Sequence, residues 1–268
     1  MSGPEFVATR WRPPSLIESR SSRWFIGIAV ALYLVVAASS IDVNWTRVAE
    51  GIARGGSFFI AFTNPDFTTH SRDIFSGLYE SLTMSFAATF IGVLISIPVG
   101  LGAARNIAIK PVYYFCRTII TVARSLQEII LAIIFVAMFG FGPFAGLVTL
   151  SFATVGFFAK LLAEDIEAMD PVQAEGIKAT GASWLQWINY GVQPQVMPRV
   201  IGLSLYRLDI NFRESAVIGI VGGGGIGATL NTAFDRYEFD TAAAILIIII
   251  LIVMVAEYSS GFVRQAVK

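Results

Sequence analysis

The stretch 170-DPVQAEGIKATGASWLQWINYGVQPQVMP-198 is a polar segment set between two apolar runs of membrane length. Asp170 can cap a helix, Pro171 suits the first helical position, and Gln173 stands where a capping-box partner belongs. Gly181 can adopt the left-handed conformation that ends a helix. The sequence therefore predicts a short, water-compatible helix that begins at Asp170 and stops at Gly181.

A second short helix follows at once. Ser183 with Gln186 repeats the capping pattern, and Gly191 closes the segment WLQWINYG. Trp184 and Leu185 are too apolar for a helix that faces water on all sides. Two readings remain open, because such a helical corner suits docking into a groove on a partner protein, and it also suits covering its own bundle.

Composition places this segment in a membrane protein. Hydrophobic residues make up 55% of the 268 residues, charged residues only 14%, and the mean hydropathy is +0.69. Six apolar stretches approach the length of about 20 residues that crosses a bilayer. The predicted fold class is all-α, a polytopic bundle of six transmembrane helices, with spans at Trp24–Ile41, Leu78–Ala104, Val112–Phe139, Pro143–Leu162, Val200–Val221 and Thr241–Val263.

Basic residues predict the orientation, since Lys and Arg in short loops stay in the cytoplasm. With the N-terminus inside, eleven basic residues are cytoplasmic and four are outside. Both termini and the insert 164–198 are therefore predicted to be cytoplasmic, in a multi-pass membrane protein. The cytoplasmic set is Arg10, Arg12, Arg20, Arg23, Arg105, Lys110, Lys160, Lys178, Arg199, Arg264 and Lys268, and the outer set is Arg47, Arg54, Arg72 and Arg236.

The chain divides into two predicted regions. Residues 1–76 hold the cytoplasmic N-terminus, the first span and an outer segment in which Trp45, Val48, Ile52 and Phe59 share one amphipathic stripe. Residues 77–268 hold the other five spans and the insert. The outer segment is predicted to be a helix at the membrane surface.

Four consecutive glycines stand between two apolar stretches on the outer side. Gly222, Gly224 and Gly227 match the G-x-G-x-x-G fingerprint of dinucleotide sites, but that fingerprint works only between a strand and a helix of a soluble βαβ unit. Glycine backbone at membrane depth suits either a gate or a plain flexible turn. The predicted gate residues are Gly222, Gly223, Gly224, Gly225 and Gly227.

Charged side chains inside the spans are the candidates for a substrate path, because each is unfavourable in lipid unless it is paired or wetted. On the third span, Arg117, Arg124 and Glu128 are spaced to share one helix face. The two readings are ion pairs that fix the bundle and a transient positive surface for an oxyanion. The candidate path residues are Arg124, Glu128, Arg207, Asn211, Arg213 and Glu214.

The fifth span carries two separate polar faces. Arg207, Asn211 and Glu214 fall on one face, and Asp209 with Arg213 form an i,i+4 pair on another. Below the glycine run, Arg213 beside Glu214 is also predicted to act as an ion pair that an arriving anion can open.

The residues exclude several classes of function. One histidine and one cysteine in 268 residues provide no metal-ligand cluster, and no Walker A loop, Ser/His pair or H-E-x-x-H motif occurs. No catalytic residue, metal site or cofactor is therefore assigned to this chain, and an intramembrane enzyme is the least favoured class. No basic patch indicates nucleic acid.

The insert resembles the cytoplasmic EAA loop of ABC-importer permeases, with Gln173, Ala174 and Glu175 at the triplet and Gly181 at the glycine. The segments 97-IPVGLGAARN-106, 123-ARSLQEIILAIIFVAMFGFGPFAGLVTL-150 and 206-YRLDINFRESAVIGIVGGGGIGATL-230 are similar to phosphonate and phosphite permeases. Two positions depart from that pattern: Gln127 stands where proline is usual, and Asp209 stands where glutamate is common.

The resemblance implies a type I ABC importer permease with a MetI-like fold, which takes a phosphonate or phosphite from a periplasmic binding protein. A cytoplasmic ATPase dimer would bind ATP and Mg. A second copy of the chain would complete a homodimer in the lipid of the bacterial inner membrane. Methionine or a quaternary amine is the alternative cargo. The implied ATPase-coupling residues are Gln173, Ala174, Glu175, Ile177, Lys178, Gly181 and Trp184.

Overall fold

The computed structural model describes residues 19–40 and 43–266, and within these ranges the chain is helical and contains no strand. Arg10, Arg12, Lys268 and Ile41, which entered the orientation and span predictions, lie outside the described residues. The chain separates into two compact units, Met1–Gly55 and Gly56–Lys268.

The helices follow one another with short connections. The first six are α1 (Arg20–Ser39), α2 (Trp45–Ala61), α3 (Ser71–Gly102), α4 (Lys110–Ser125), α5 (Glu128–Phe139) and α6 (Pro143–Glu167). The rest are α7 (Pro171–Ala179), α8 (Trp184–Trp187), α9 (Gln193–Ile218), α10 (Ile226–Asp235) and α11 (Phe239–Ala266). Two π-helical turns, Ile188–Val192 and Gly219–Gly223, flank α9.

The predicted membrane bundle is confirmed. Among the described residues, α1, α3, α6 and α11 are each long and apolar enough to cross a bilayer. Two bent pairs, α4 with α5 at 92° and the segment ending at Gly223 with α10 at 58°, bring the number of candidate spans to six if each pair is counted as one span. The described helices thus provide four to six candidate spans, where the sequence predicted six.

Small residues let α3 and α6 pack closely at the centre of the second unit. A Cβ on Gly92 would lie 2.5 Å from Thr154 side-chain atoms, and a Cβ on Gly100 would lie 2.8 Å from Leu162. Because lipid provides no hydrophobic drive between helices, such close backbone contact is a main source of attraction in a membrane. α3 and α6 therefore form the scaffold on which the other helices are placed.

The third span was predicted as one continuous helix, and this prediction was wrong. Leu126 and Gln127 adopt extended backbone, with ψ of 134° and 145°, and they separate α4 from α5. The residues in α4 include Arg117 and Arg124, whereas α5 is uniformly apolar after Glu128. Arg124 and Glu128 therefore lie on different helices and do not share a helix face.

The outer segment forms the predicted helix α2, and its last part is anchored within the second unit. The Phe58 ring lies 5.7 Å from the Phe234 ring and 6.0 Å from the Phe239 ring, measured between centroids.

In the turn before α3, hydrogen bonds from Thr69 and Thr68 hold the pKa of the Asp66 carboxyl well below its usual range.

Candidate functional site

The insert folds largely as its caps predict. Asp170 Oδ1 accepts the Val172 N–H at 2.9 Å, which begins α7, and Gly181 has a φ of +80°. Ser183 and Gln186 form a reciprocal capping box at the start of α8, with the Ser183 N–H donated to Gln186 Oε1 at 2.8 Å. The two helices therefore meet at a left-handed glycine corner.

Two details of that prediction were wrong. The Asp170 N–H is donated to Gln195 Oε1 at 3.0 Å, so Gln195 on α9 takes the role expected of Gln173. Gly191 does not close a helix, because the chain continues through the π-helical turn directly into α9, whose first turn contains Pro194. The insert is thereby joined rigidly to the helix that follows it.

The inner side of the insert packs on the transmembrane helices. The Trp187 indole N–H is donated to the Ala174 carbonyl at 2.9 Å, and Lys178 Nζ lies 3.9 Å from the centroid of a Trp187 ring. Ala174 and Trp187 share one apolar cluster with Phe158 and Leu162 of α6, and Ile177 packs against it. These contacts fix the position of the insert on the bundle.

The outer side of the insert exposes apolar surface. Val172, Trp184 and Leu185 are 73%, 55% and 65% exposed, and Glu175 is exposed beside them. We call these four residues the coupling surface. Of the predicted contact residues, Ala174 is buried and Ile177 half-buried, while Gln173, Glu175, Lys178, Gly181 and Trp184 are exposed. Val172 and Leu185 are also exposed and were not among the predicted contact residues.

A buried polar network joins three helices inside the bundle. Arg207 of α9 is 2% exposed, and its Nε is donated to Thr154 Oγ1 on α6 at 3.1 Å. Asn211 is fully buried, and its Nδ2 is donated to Thr89 Oγ1 on α3 at 2.8 Å and to Thr154 Oγ1 at 3.0 Å. Arg207 also donates to Glu214 Oε2 at 3.3 Å. The predicted common face of Arg207, Asn211 and Glu214 is thus directed into the bundle.

The remaining charges face elsewhere. The predicted pair of Arg213 with Asp209 is confirmed, with 2.7 Å between Arg213 Nη2 and Asp209 Oδ2. The predicted pair of Arg213 with Glu214 is wrong, because Glu214 binds Arg207 on the other side of α9. Arg124 and Arg213 are both exposed, and Glu128 is half-buried. The two arginines therefore remain accessible.

The glycine run forms a tight turn wedged against other helices. Gly222, Gly224 and Gly225 have φ values of +100°, +75° and +73°, which side chains rarely tolerate. The Gly142 N–H, in the α5–α6 turn, is donated to the Gly222 carbonyl at 2.9 Å. A Cβ on Gly224 would lie 2.7 Å from the Pro143 nitrogen, and one on Gly227 would collide with the Ala216 backbone. The run therefore lies beside the turn that joins α5 to α6.

The bent bundle, the capped insert and the wedged glycine turn together define a helical membrane transport component. The family described as "Binding-protein-dependent transport system inner membrane component" matches residues 96–268. The chain belongs to this family of ABC-importer permeases, which are multi-pass components of the inner membrane. It is accordingly a transport protein and not an enzyme.

Two permeases of known families of cargo are similar to this chain over most of its length. The chain is 36% identical to the phosphate-import permease protein PhnE of Mycolicibacterium smegmatis, over 89% of this chain and 44% of that protein. It thus spans less than half the length of that relative. It is 38% identical to the phosphite transport system permease protein PtxC of Stutzerimonas stutzeri, over 91% of this chain and 84% of that protein.

Among solved structures, the fold is similar to that of an inward-facing MetNI methionine ABC transporter. The TM-score is 0.63 at 24% identity, and the match covers 73% of this chain and 96% of that chain. This likeness establishes the MetI-like permease fold.

Proposed function

We propose that this chain is the permease subunit of an ABC importer that carries a phosphorus oxyanion, phosphite or a phosphonate, from a periplasmic binding protein to the cytoplasm. The observation that carries the proposal is the 38% identity to a phosphite permease over 91% of the chain. The alternative cargoes, methionine and a quaternary amine, have weaker support, since the sequence likeness to methionine permeases is lower and covers less of this chain.

The coupling surface is proposed to bind a separate ATPase subunit that holds ATP and Mg. A partly apolar surface on a polar insert is suited to a groove on a partner protein, because burying Val172, Trp184 and Leu185 removes exposed apolar area from water. The excess of basic residues on this side supports a cytoplasmic position for the insert and both termini. Movement of the ATPase would then act directly on α9 through the π-helical turn.

A second copy of this chain is proposed to complete the pathway. One chain carries one insert, whereas an ATPase dimer offers two equivalent grooves, so two permease chains satisfy both. Two copies would surround a path with twelve spans. The two accessible arginines, Arg124 and Arg213, are the residues we assign to the anion in that path.

The pairing of Arg213 supports its assignment. Its partner Asp209 is a carboxylate of the same helix, so a phosphorus oxyanion can replace one set of charge-assisted hydrogen bonds by another. Glu128 and Glu214 near the path would prevent the anion from binding too tightly. Arg207 and Asn211 lie behind this surface and hold α3, α6 and α9 together.

The glycine run is proposed to be the outer gate. Glycines without side chains let backbones meet closely, and this contact can close a path on the outer side. The resting transporter would be closed there until a loaded binding protein docks.

The test uses the purified complex of this chain with its ATPase, reconstituted in liposomes. ATP hydrolysis is measured after adding the binding protein loaded with phosphite, methylphosphonate, 2-aminoethylphosphonate, phosphate or methionine. We expect stimulation with a phosphorus oxyanion and none with methionine, and native mass spectrometry should find two copies of this chain. Stimulation by methionine alone would overturn the proposed cargo.

A further inference from the structure

The helix after the glycine run, α10, is capped by residues of another helix. α10 contains ten residues and begins at Ile226, and its own N-cap residue, Gly225, has no side chain. The Gly225 N–H is donated to Glu80 Oε2 at 3.1 Å, and the Ile226 N–H is donated to Ser81 Oγ at 2.9 Å. Two adjacent side chains of α3 thus supply the acceptors that the start of α10 lacks.

The same two residues press against the glycine run. A Cβ on Gly225 would collide with Ser81 Oγ, so the residue next to Glu80 fixes the lateral position of the run. On the opposite side, a Cβ on Gly223 would lie 3.3 Å from the Gly146 Cα on α6. The run is therefore held between α3 and the start of α6, and the bond to Glu80 contributes a charged acceptor to that closure.

The Glu80 carboxylate gains from its position at the positive end of α10. A carboxylate that accepts a backbone N–H at a helix N-terminus forms a charge-assisted bond and interacts favourably with the helix dipole. Its hydrogen bond links residues separated by 145 positions in the chain. Breaking it removes the charged bond between the run and α3 and leaves the bond from the Ile226 N–H to Ser81 in place.

A polar cavity of about 320 Å³ lies directly beside this contact and gives the carboxylate an alternative position. Glu80 and Gly225 both line it, together with Asp73, Arg236 and Glu238. A carboxylate that leaves the run can be solvated there by water and by the Arg236 guanidinium. The bond can therefore open without burying an unpaired charge.

We propose that Glu80 is a positioning residue that latches the outer gate: its carboxylate holds the glycine run closed, and its release into the cavity accompanies opening. The proposal rests on the proposed role of the glycine run as a gate. Ser81 supplies the second, uncharged half of the latch. We assign neither residue to the cargo, so the latch governs when the path opens and not what passes.

The test compares Glu80→Ala, Glu80→Gln and Ser81→Ala in the reconstituted complex, with Asp73→Asn as the matched control. Asp73 lines the same cavity, and its described ion contact is to His70 at 3.7 Å. We expect Glu80→Ala to raise the rate of ATP hydrolysis in the absence of binding protein by about tenfold. This factor corresponds to a free-energy change of about 1.4 kcal/mol. Glu80→Gln keeps an acceptor oxygen and should lie between Glu80→Ala and the wild type.

The decisive quantity is the ratio of ATP hydrolysis without binding protein to hydrolysis with it, compared at equal thermal stability in detergent. A raised ratio in Glu80→Ala, partly restored in Glu80→Gln and unchanged in Asp73→Asn, supports the latch. An unchanged ratio in Glu80→Ala, or an equal rise in Asp73→Asn, overturns it. A wild-type complex that hydrolyses ATP but imports no phosphorus oxyanion refutes the cargo and leaves this comparison valid.

Discussion

At the scale of single residues, two arginines of α9 are accommodated in this membrane protein in opposite ways. Arg207 is buried and bonded to Thr154 and Glu214, whereas Arg213 is 48% exposed in its side chain and bonded to Asp209. Helical spacing predicted which residues share a face. It could not predict the hydroxyl partners, because Thr89 and Thr154 belong to helices that are distant in the sequence.

We predict that Arg207→Leu strongly destabilises the chain. The change leaves Glu214 partly buried without its partner, and breaking such a pair lowers the free energy of unfolding by about 3 to 5 kcal/mol. Thermal unfolding in detergent, followed by size-exclusion chromatography, measures the loss. The added change Glu214→Leu should recover most of it, because two apolar side chains replace a buried ion pair at little net loss.

The control for this prediction is Lys160→Leu on α6. The pair of Lys160 with Glu164 is half-exposed at 3.5 Å, so its loss should change stability by about 1 kcal/mol or less. An Arg207→Leu, Glu214→Leu double variant as unstable as the single variant would show that the pair is not what Arg207 provides.

At the scale of helices, local signals were sufficient where the stabilising contacts are local. The roles of Asp170, Gly181 and the pair of Ser183 with Gln186 were assigned correctly from the sequence, because each is hydrogen-bonded to a residue at most three positions away. The bend between α4 and α5 was missed, because the apolar residues on both sides of the polar segment 124–128 were joined into one span. The π-helical turn after α8 was missed because its glycine, Gly191, reads as a helix end.

The bend gives a second prediction, that Gln127→Pro is tolerated or stabilising. Gln127 has φ of −72° and follows Leu126 in extended backbone, which is the geometry that proline and its preceding residue require. Proline there should raise stability by about 0.4 to 1 kcal/mol by restricting the unfolded chain. The unfolding temperature measures this gain in stability.

Leu126→Pro is the matched control at the adjacent position. Its φ of −105° departs from the proline value, and the preceding residue Ser125 is helical. This variant should lose stability. Equal effects of proline at positions 126 and 127 would contradict the bend as described.

A third prediction concerns the glycine corner of the insert. Gly181→Val places a branched side chain at a φ of +80°, which is unfavourable by about 1 to 2 kcal/mol locally. We expect the variant to insert into the membrane but to lose ATPase stimulation by the binding protein. Gly181→Asn is the control, because asparagine adopts left-handed backbone readily, and it should remain coupled. Normal stimulation in Gly181→Val would show that the corner does not transmit force.

At the scale of the whole molecule, the family follows from residues 96–268 and the fold from the bundle of straight and bent helices. The approximate number of spans, four to six among the described helices, was predictable because each apolar run approaches the bilayer thickness. The arrangement of the run beside the α5–α6 turn and α3 was only partly predictable, since it depends on contacts such as Gly224 against Pro143 and Gly225 against Ser81 that link distant segments. Cargo selectivity resides largely outside this chain if a binding protein delivers it.

The central claim is tested most directly by uptake into proteoliposomes that hold this chain, its ATPase and internal ATP, with the binding protein outside. The account predicts that phosphite or a phosphonate accumulates inside, that accumulation requires ATP, and that Arg213→Glu abolishes it at equal protein content. Accumulation of methionine in place of any phosphorus oxyanion would contradict the account, as would phosphite uptake that proceeds without ATP.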